Sequence, residues 1–213
     1  MAQTAKKLSW DVVVVGGGFA GVEVADRLGR AGVEVLLVDA NDYHQFQPLL
    51  YQVATAQIGV SEVARPLRTM FRRRSSVRVT VAEVTAIDAA ARTITLDDGT
   101  ECTGGTLVVA TGAQANFFGI EGAAEHTYPL YSLEDAVRLS AAMLTALDEA
   151  DRLSSDIDSL DLVVVGGGAT GVEFAGAVAE SLDSAVAATF PGDLAGRTSV
   201  TLLPRCSWIP ARR

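Results

Sequence analysis

Apolar and small residues follow one pattern near the start of the chain. The apolar run Val12–Val15 leads into the glycine-rich segment Gly16–Gly21, and apolar residues then recur at helical spacing up to Gly32. A second, largely apolar segment follows at Val33–Val38 and ends at Asp39. Continuous β-branched runs are typical of strands buried on both faces of a parallel sheet, and Gly32 is placed to end a helix. The pattern therefore predicts strand, tight turn, helix and strand.

The same pattern returns later in the chain. "DVVVVGGGFAGVEVA" at Asp11–Ala25 and "DLVVVGGGATGVEFA" at Asp161–Ala175 are identical at most positions. The second copy therefore predicts another strand, turn and helix built in the same way.

Both copies contain G-x-G-x-x-G, whose glycines have separate tasks. The first glycine permits the turn, the second lets the backbone approach a pyrophosphate, and the third lets helix and strand pack closely. The helix N-terminus offers free N–H groups to the phosphates. Asp39 stands about 20 residues after Gly16, where a carboxylate bonds a ribose hydroxyl. Two copies predict two dinucleotides, one resident and one visiting, a pair that suits electron transfer between a flavin and a nicotinamide.

The residues between the copies predict further elements and a domain boundary near residues 113–120. Segments 77–88, 92–102 and 106–113 are interpreted as three strands, with Asp98-Gly99 as a hairpin turn. An amphipathic helix opened by Ser132 runs to about residue 153, and a polar loop, 154–159, precedes the second copy.

Composition excludes several classes of protein. A net charge of −9 argues against a nucleic-acid partner, and the short run Arg72–Arg74 is expected to be a solvated loop or helix end. Cys102 and Cys206 lie far apart, so neither a disulfide scaffold nor a zinc site is expected, and no metal is predicted. Neither a signal peptide nor a transmembrane run is apparent, which predicts a soluble protein in a reducing compartment.

The motifs together resemble one family. "GGGFAG", "VDANDYHQFQPLLYQVATAQIG", "VVATGA" and "VVVGGGATGVEFAGAVAE" occur in the order found in type II NADH dehydrogenases, the single-subunit FAD-dependent NADH:quinone oxidoreductases. The resemblance covers roughly residues 10 to 203. "FQPLLYQVAT" is its most specific part, because two-dinucleotide flavoproteins share the glycine motifs.

The resemblance implies two doubly wound, Rossmann-like α/β domains. Residues 1–115 would bind FAD, and residues 116–213 would form an incomplete NAD(H)-binding domain. Hydride would pass from NADH to FAD, and a quinone would receive the electrons. The implied FAD-binding residues are Gly16, Gly18 and Gly21 at the pyrophosphate, Asp39 at the ribose, Val84 near the adenine, Thr111 and Gly112 beside the cofactor, and Gln47, Pro48 and Leu49 near the isoalloxazine. Gly166, Gly168 and Gly171 would hold NADH.

Two side chains have competing interpretations. The resemblance gives Glu173 a catalytic role close to the nicotinamide, in binding or proton delivery. The alternative is an acid in the first turn of a helix, stabilised by the helix dipole, as the equivalent Glu23 suggests. His44 is interpreted as a structural or surface histidine, because no motif pairs it with an acid or a nucleophile.

Other reductases and a non-catalytic product are the alternatives. Disulfide reductases need a cysteine pair beside the flavin, which "YHQFQPLLYQVA" lacks. Sulfide:quinone reductases also need cysteines there and are disfavoured. Ferredoxin- and rubredoxin-type reductases share the glycine motifs and therefore remain an alternative function. Pro204 stands where the second unit should end in an acid. One interpretation is a genuine sequence variant whose sugar contact comes from elsewhere; the other is a truncated or frameshifted chain that binds nucleotides weakly and is inactive alone.

The resemblance has consequences beyond this chain. Family members are longer, and their C-terminal amphipathic helices seat them on a membrane. A complete protein would be cytoplasmic and peripheral on the inner face of the cell membrane, in a form compatible with a homodimer.

Overall fold

The computed structural model describes residues 7–152, 159–190 and 194–204. The chain divides into two compact units. The first comprises Met1–Phe46 with Ser61–Gln114, and the second comprises Gln47–Val60 with Ala115–Arg213. The expected boundary near residue 115 assigned residues 47–60 to the first domain, whereas the structure places them in the second unit. Helical segment 50–54 packs there on two later helices, a contact that depends on residues distant in sequence.

The elements are numbered along the chain. The strands are β1 (Lys7–Val15), β2 (Val35–Asp39), β3 (Tyr43–Gln45), β4 (Ala64–Pro66), β5 (Val77–Val81), β6 (Val84–Asp88), β7 (Thr93–Leu96), β8 (Glu101–Val109), β9 (Leu160–Val165) and β10 (Thr198–Leu203). The helices are α1 (Phe19–Arg30), α2 (Leu50–Ala54), α3 (Val60–Val63), α4 (Leu67–Phe71), α5 (Ala123–His126), α6 (Leu133–Arg152), α7 (Ala169–Ser181) and α8 (Ala187–Thr189). A 3-10 turn at Gln47–Leu49 precedes α2, and a π-helical turn at Leu182–Val186 extends α7.

A six-stranded sheet in the order β5-β2-β1-β8-β7-β6 forms the centre of the first unit. Strands β5, β2, β1 and β8 are parallel, and β8, β7 and β6 form an antiparallel meander. Val12 and Val14 pack in a core cluster with residues of α1 and α4, whereas Val13 and Val15 pack in a cluster with β7. All four are buried. The β-branched run is therefore covered on both faces, as its pattern predicts.

The helix and turn signals in this unit are confirmed. Helix α1 ends at Arg30, and Gly32 adopts φ +78°, the left-handed conformation that glycine accepts without a steric cost. Asp98 and Gly99 form the turn between β7 and β8, where the Thr100 N–H donates to the Asp98 carboxylate.

The predicted division into three strands is wrong. Residues 77–88 form two strands, because β5 pairs in parallel with β2 while β6 turns away to pair antiparallel with β7. Residues 101–109 form the single long strand β8, which pairs in parallel with β1 along its length. Pairing with a neighbouring strand thus decides where each strand begins and ends.

In the second unit, β9 and β10 form a two-stranded parallel sheet, and α7 connects them. Leu147 of α6, Val178 of α7 and Leu194 lie in one apolar cluster. Val163 and Val165 of β9 are exposed, in contrast to the buried valines of β1. Helix α6 begins as predicted: the Ser132 hydroxyl accepts from the Asp135 N–H, and the Asp135 carboxylate accepts from the Ser132 N–H.

The polar loop predicted at 154–159 lies almost entirely outside the described residues. Among the helices that are described, none combines the length and apolarity that crossing a bilayer requires.

Candidate functional site

The first glycine-rich segment forms a tight turn between β1 and α1. Gly16 adopts φ +105°, and its N–H donates to the Val38 carbonyl of the neighbouring strand at 2.7 Å. A Cβ on Gly21 would collide with the Gly16 carbonyl oxygen. Glycine is thus required at position 16 for its backbone conformation and at position 21 for the close approach of helix to turn.

Gly18 is not needed for its backbone conformation, which other residues also adopt. It lies at φ −74° and ψ −167° as the residue that precedes α1. Within the described part of the chain, no heavy atom lies within 4 Å of the place that a Cβ on Gly18 would take. The lack of a side chain therefore leaves open space at a helix N-terminus, where N–H groups and the helix dipole favour an anion. This cradle fits a pyrophosphate.

Asp39 lies at the carboxyl end of β2, beside this turn. Its Oδ2 accepts from the Gly17 N–H at 2.5 Å, and its Oδ1 accepts from the Asn41 N–H at 2.7 Å. Each carboxylate oxygen retains a further lone pair for a ligand hydroxyl. The structure thus brings the predicted ribose ligand to the predicted glycine turn.

Two more predicted segments reach the same edge of the sheet. The Ala82 N–H, two residues before Val84, donates to the Asp39 carbonyl at 2.9 Å. The Ala110 N–H donates to the Val15 carbonyl at 2.7 Å, and exposed Thr111 and Gly112 follow it. The carboxyl ends of parallel strands are where open α/β sheets bind their ligands.

Sequence reasoning gave no role to Gly17. A Cβ on Gly17 would lie 2.7 Å from the Cδ1 atom of the buried Leu67, so a larger residue there would displace that side chain. Its carbonyl oxygen lies 2.9 Å from Nδ1 of His44, which is buried and makes an edge-on contact with Phe19. His44 is thus a buried histidine with a specific contact, which agrees with its interpretation as a structural residue. Gly17 is an x position of the G-x-G-x-x-G motif, where any residue is allowed, so the motif does not predict this contact.

The second glycine segment repeats the backbone geometry of the first. Gly166 adopts φ +120°, and its N–H donates to the Leu203 carbonyl at 2.8 Å. A Cβ on Gly171 would collide with the Gly166 carbonyl oxygen. Gly168 precedes α7 as Gly18 precedes α1, and a Cβ there would again meet nothing within 4 Å among the described residues. This turn also fits a pyrophosphate.

The two sites differ at the residue that follows their second strand. Register pairs Val15 with Val38 in the first unit and Val165 with Leu203 in the second, so Pro204 stands where Asp39 does. A Cβ on Gly167 would lie 2.9 Å from the Pro204 Cβ, as one on Gly17 would lie 3.3 Å from the Asp39 Oδ2. The second site therefore has an apolar ring in the place of the ribose carboxylate. Residues after Pro204, including Cys206, lie outside the described part of the chain.

Glu173 is an exposed residue of α7. The expectation of an acid in the first turn is wrong for both copies, since neither α1 nor α7 carries an acid there. The dipole effect declines beyond the first turn. Glu23 pairs with Arg27 one turn later, whereas the residue four places after Glu173 is buried Ala177. The surface ion pair that accounts for Glu23 is thus absent for Glu173 within the described residues.

Gln47, Pro48 and Leu49 form the 3-10 turn before α2. They belong to the second unit, in which Leu50, Val53 and Ala54 are buried and α2 contacts α6 and α7. Their assignment to the isoalloxazine stays a prediction.

The remaining chemical candidates are metal-binding clusters, cysteines and the basic run. No group of metal-binding side chains occurs in the described residues. Burial raises the pKa of the Cys102 thiol, which lies in β8 and is nearly inaccessible. In the basic run, Arg72 and Arg73 are exposed as expected, while the Arg74 Nε atom pairs with Asp26 of α1 at 3.1 Å.

Residues 10–212 match the family described as pyridine nucleotide-disulphide oxidoreductase. The chain belongs to this family. It is 38% identical over 186 residues to the type II NADH:quinone oxidoreductase Ndh of Mycobacterium tuberculosis, a match that covers 84% of the chain and 40% of that protein. The NdhA protein of the same organism is 38% identical over 84% of the chain and 39% of its own length. The chain thus spans about 40% of the length of these relatives.

Two solved structures share the fold. NDH2 from Plasmodium falciparum, in a complex with NADH, superposes with a TM-score of 0.80 at 20% identity, covering 93% of this chain and 42% of that one. NADH:rubredoxin oxidoreductase from Clostridium acetobutylicum gives 0.61 at 20% identity, covering 91% and 44%. At these identities the likeness establishes the Rossmann-like dinucleotide-binding fold alone.

Proposed function

We propose that this chain carries the FAD- and NADH-binding parts of a type II NADH:quinone oxidoreductase. The observation that carries the proposal is the pair of glycine turns in one chain, each of which leaves open space at Gly18 or Gly168 beside a helix N-terminus. The 38% identity with the Mycobacterium tuberculosis enzymes supports the choice of this reaction within the family.

The first turn is assigned to FAD. Gly16 and Gly21 shape the turn, Gly18 leaves space for the pyrophosphate, and Asp39 offers carboxylate oxygens to the ribose. The backbone at Val84 would lie near the adenine and Thr111–Gly112 beside the cofactor, since both segments are close in sequence to residues bonded to β1 or β2. Gln47, Pro48 and Leu49 are proposed to approach the isoalloxazine.

The second turn is assigned to NADH. Gly166, Gly168 and Gly171 repeat the pyrophosphate cradle. We assign Glu173 a part in nicotinamide binding or proton delivery, because its exposed carboxylate lacks the helix ion pair that occupies Glu23. When both cofactors are bound, NADH supplies a hydride to the flavin, and a quinone accepts the electrons.

A ferredoxin- or rubredoxin-type reductase is the alternative function, because such reductases share the two glycine motifs on which the proposal rests. The electron acceptor distinguishes the two. Because a quinone dissolves in a membrane, we propose that the whole protein lies at the cytoplasmic face of a membrane. The proposed form is also compatible with a homodimer.

A chimera tests the function. Residues 10–203 replace the matched region of the 38% identical Mycobacterium tuberculosis enzyme, and NADH oxidation is measured with a soluble quinone and with rubredoxin. We expect quinone reduction, and we expect its loss in a matched chimera that carries Gly18→Ala and Gly168→Ala. A chimera that retains FAD and binds NADH but reduces only rubredoxin would contradict the proposal.

A further inference from the structure

Side chains from two other segments hold the backbone on both sides of Gly17. The Gly17 N–H, which belongs to the 16–17 peptide, donates to the Asp39 carboxylate. The Gly17 carbonyl, which belongs to the 17–18 peptide, lies 2.9 Å from His44 Nδ1. Since a carbonyl oxygen only accepts, Nδ1 carries the hydrogen, as it does in the cation and in one of the two neutral tautomers.

We propose that His44 is a positioning residue that fixes the orientation of the Gly17–Gly18 peptide for phosphate binding. The inference rests on the assignment of the first turn to FAD, and it adds a residue that the glycine motif does not contain. His44 itself does not need to touch the cofactor.

Peptide geometry connects His44 to the ligand site. The Gly17 carbonyl and the Gly18 N–H belong to one planar trans peptide and point in opposite directions. With the carbonyl bonded to His44, the Gly18 N–H points away from His44. No acceptor for this N–H is found among the described residues. It is therefore available to an anion at the start of α1.

The anchor is needed because both residues of this peptide are glycine. Rotation of the peptide changes ψ of Gly17 and φ of Gly18, and neither residue has a Cβ to oppose it. A reversed peptide would present its carbonyl oxygen, instead of its N–H, to the phosphate. The resulting repulsion between the partial negative charge of the carbonyl oxygen and the negative charge of the phosphate would weaken binding without unfolding the unit.

His44 is well placed to act as a fixed anchor. Strand β3 pairs antiparallel with β4, and His44 lies opposite Arg65 in this ladder. Its side chain is only 7% exposed. The Phe19 ring meets the imidazole edge-on, with ring centroids 5.1 Å apart, and Phe46 contacts Phe19 in the same manner. Packing thus limits rotation of the imidazole away from the Gly17 carbonyl.

The first experiment compares FAD affinity among variants of the full chain. His44→Phe keeps a buried aromatic ring and removes the donor, so FAD binding should weaken about tenfold, as for one lost hydrogen bond. His44→Asn returns a donor near the Nδ1 position and should restore most of the affinity. NADH affinity, which belongs to the other turn, should stay unchanged in both. His126→Asn, at the second of the chain's two histidines, is the matched control.

The second experiment does not depend on FAD. Nitrogen-15 NMR of the imidazoles, in the His126→Asn chain, should show His44 with hydrogen on Nδ1 at neutral and mildly alkaline pH. The Nε2–H tautomer would overturn the inference, as would equal FAD affinity in the wild type and His44→Phe. If the His126→Asn chain shows the Nδ1–H tautomer but binds no FAD, the flavin assignment fails and the anchored peptide stands.

Discussion

At the scale of single residues, the glycines of each turn are required for different reasons. Gly16 needs a left-handed backbone, and Gly21 lies too close to the Gly16 carbonyl to carry a Cβ. Gly18 has an ordinary backbone and open surroundings. A side chain at Gly21 would therefore disturb the fold, whereas one at Gly18 would extend into open space, where we propose that the phosphate binds.

Pro204 determines the expected nucleotide preference of the second site. Because no carboxylate stands there to favour the free 2′-hydroxyl of NADH over a 2′-phosphate, discrimination between NADH and NADPH should be weak. Pro204→Asp should raise the preference for NADH about tenfold, by a charge-assisted hydrogen bond and by repulsion of the phosphate. Separate titrations with the two nucleotides measure this.

Pro204→Asn serves as the uncharged control and should change the preference less than Pro204→Asp. A strong preference for NADH in the unmodified chain would show that another residue is the determinant.

The glycines and Asp39 could be predicted because their tasks are set by local backbone geometry and by spacing. Gly17 and His44 could not be given their roles in this way. Their hydrogen bond joins residues 27 positions apart, and it forms only because the short β3–β4 ladder brings His44 beside the turn.

At the scale of elements, an ion pair fastens α1 to the turn before β5. Asp26 of α1 bonds Arg30 on its own helix and Arg74 in that turn. Arg30, and then Arg74, hold the pKa of the Asp26 carboxyl below its ordinary value. A lowered pKa in the folded state means that the pair stabilises the fold above the ordinary pKa, and that this contribution is lost as the pH falls through the folded-state pKa.

Asp26→Asn should lower the free energy of unfolding at neutral pH by about 0.5 kcal/mol, since the pair is partly exposed to solvent. The difference from the wild type should begin to shrink as the pH falls below the ordinary carboxyl pKa of about 4, and it should vanish once the pH has fallen through the lowered folded-state pKa of Asp26. Denaturant unfolding across this pH range measures it. Glu23→Gln, which breaks the more exposed pair with Arg27, should have no measurable effect, and a constant Asp26→Asn difference down to low pH would refute the explanation.

Helices α1, α6 and α7 could be predicted from their periodicity and from their N-terminal and C-terminal signals. The boundary between β5 and β6 could not be predicted from the sequence, because neither glycine nor proline interrupts residues 77–88. Strand β5 finds its partner in β2 and β6 finds its partner in β7, and such tertiary pairing overrides the local sequence signal.

At the scale of the whole molecule, two units built on the same strand–turn–helix plan occur in one chain. The duplicated motif predicts this plan directly. That residues 47–60 belong to the second unit is not predictable from a motif, since it depends on the packing of α2 against α6 and α7.

The central claim is that each turn binds its own dinucleotide, and calorimetric titration of FAD and NADH into the chain and two variants tests it most directly. Gly18→Ala should weaken FAD binding at least about tenfold and leave NADH binding intact, because the new methyl group occupies the phosphate space of one turn only. Gly168→Ala should do the reverse. Both variants should keep the wild-type free energy of unfolding. If either substitution weakens both ligands equally, or neither ligand, the assignment of two separate sites is contradicted.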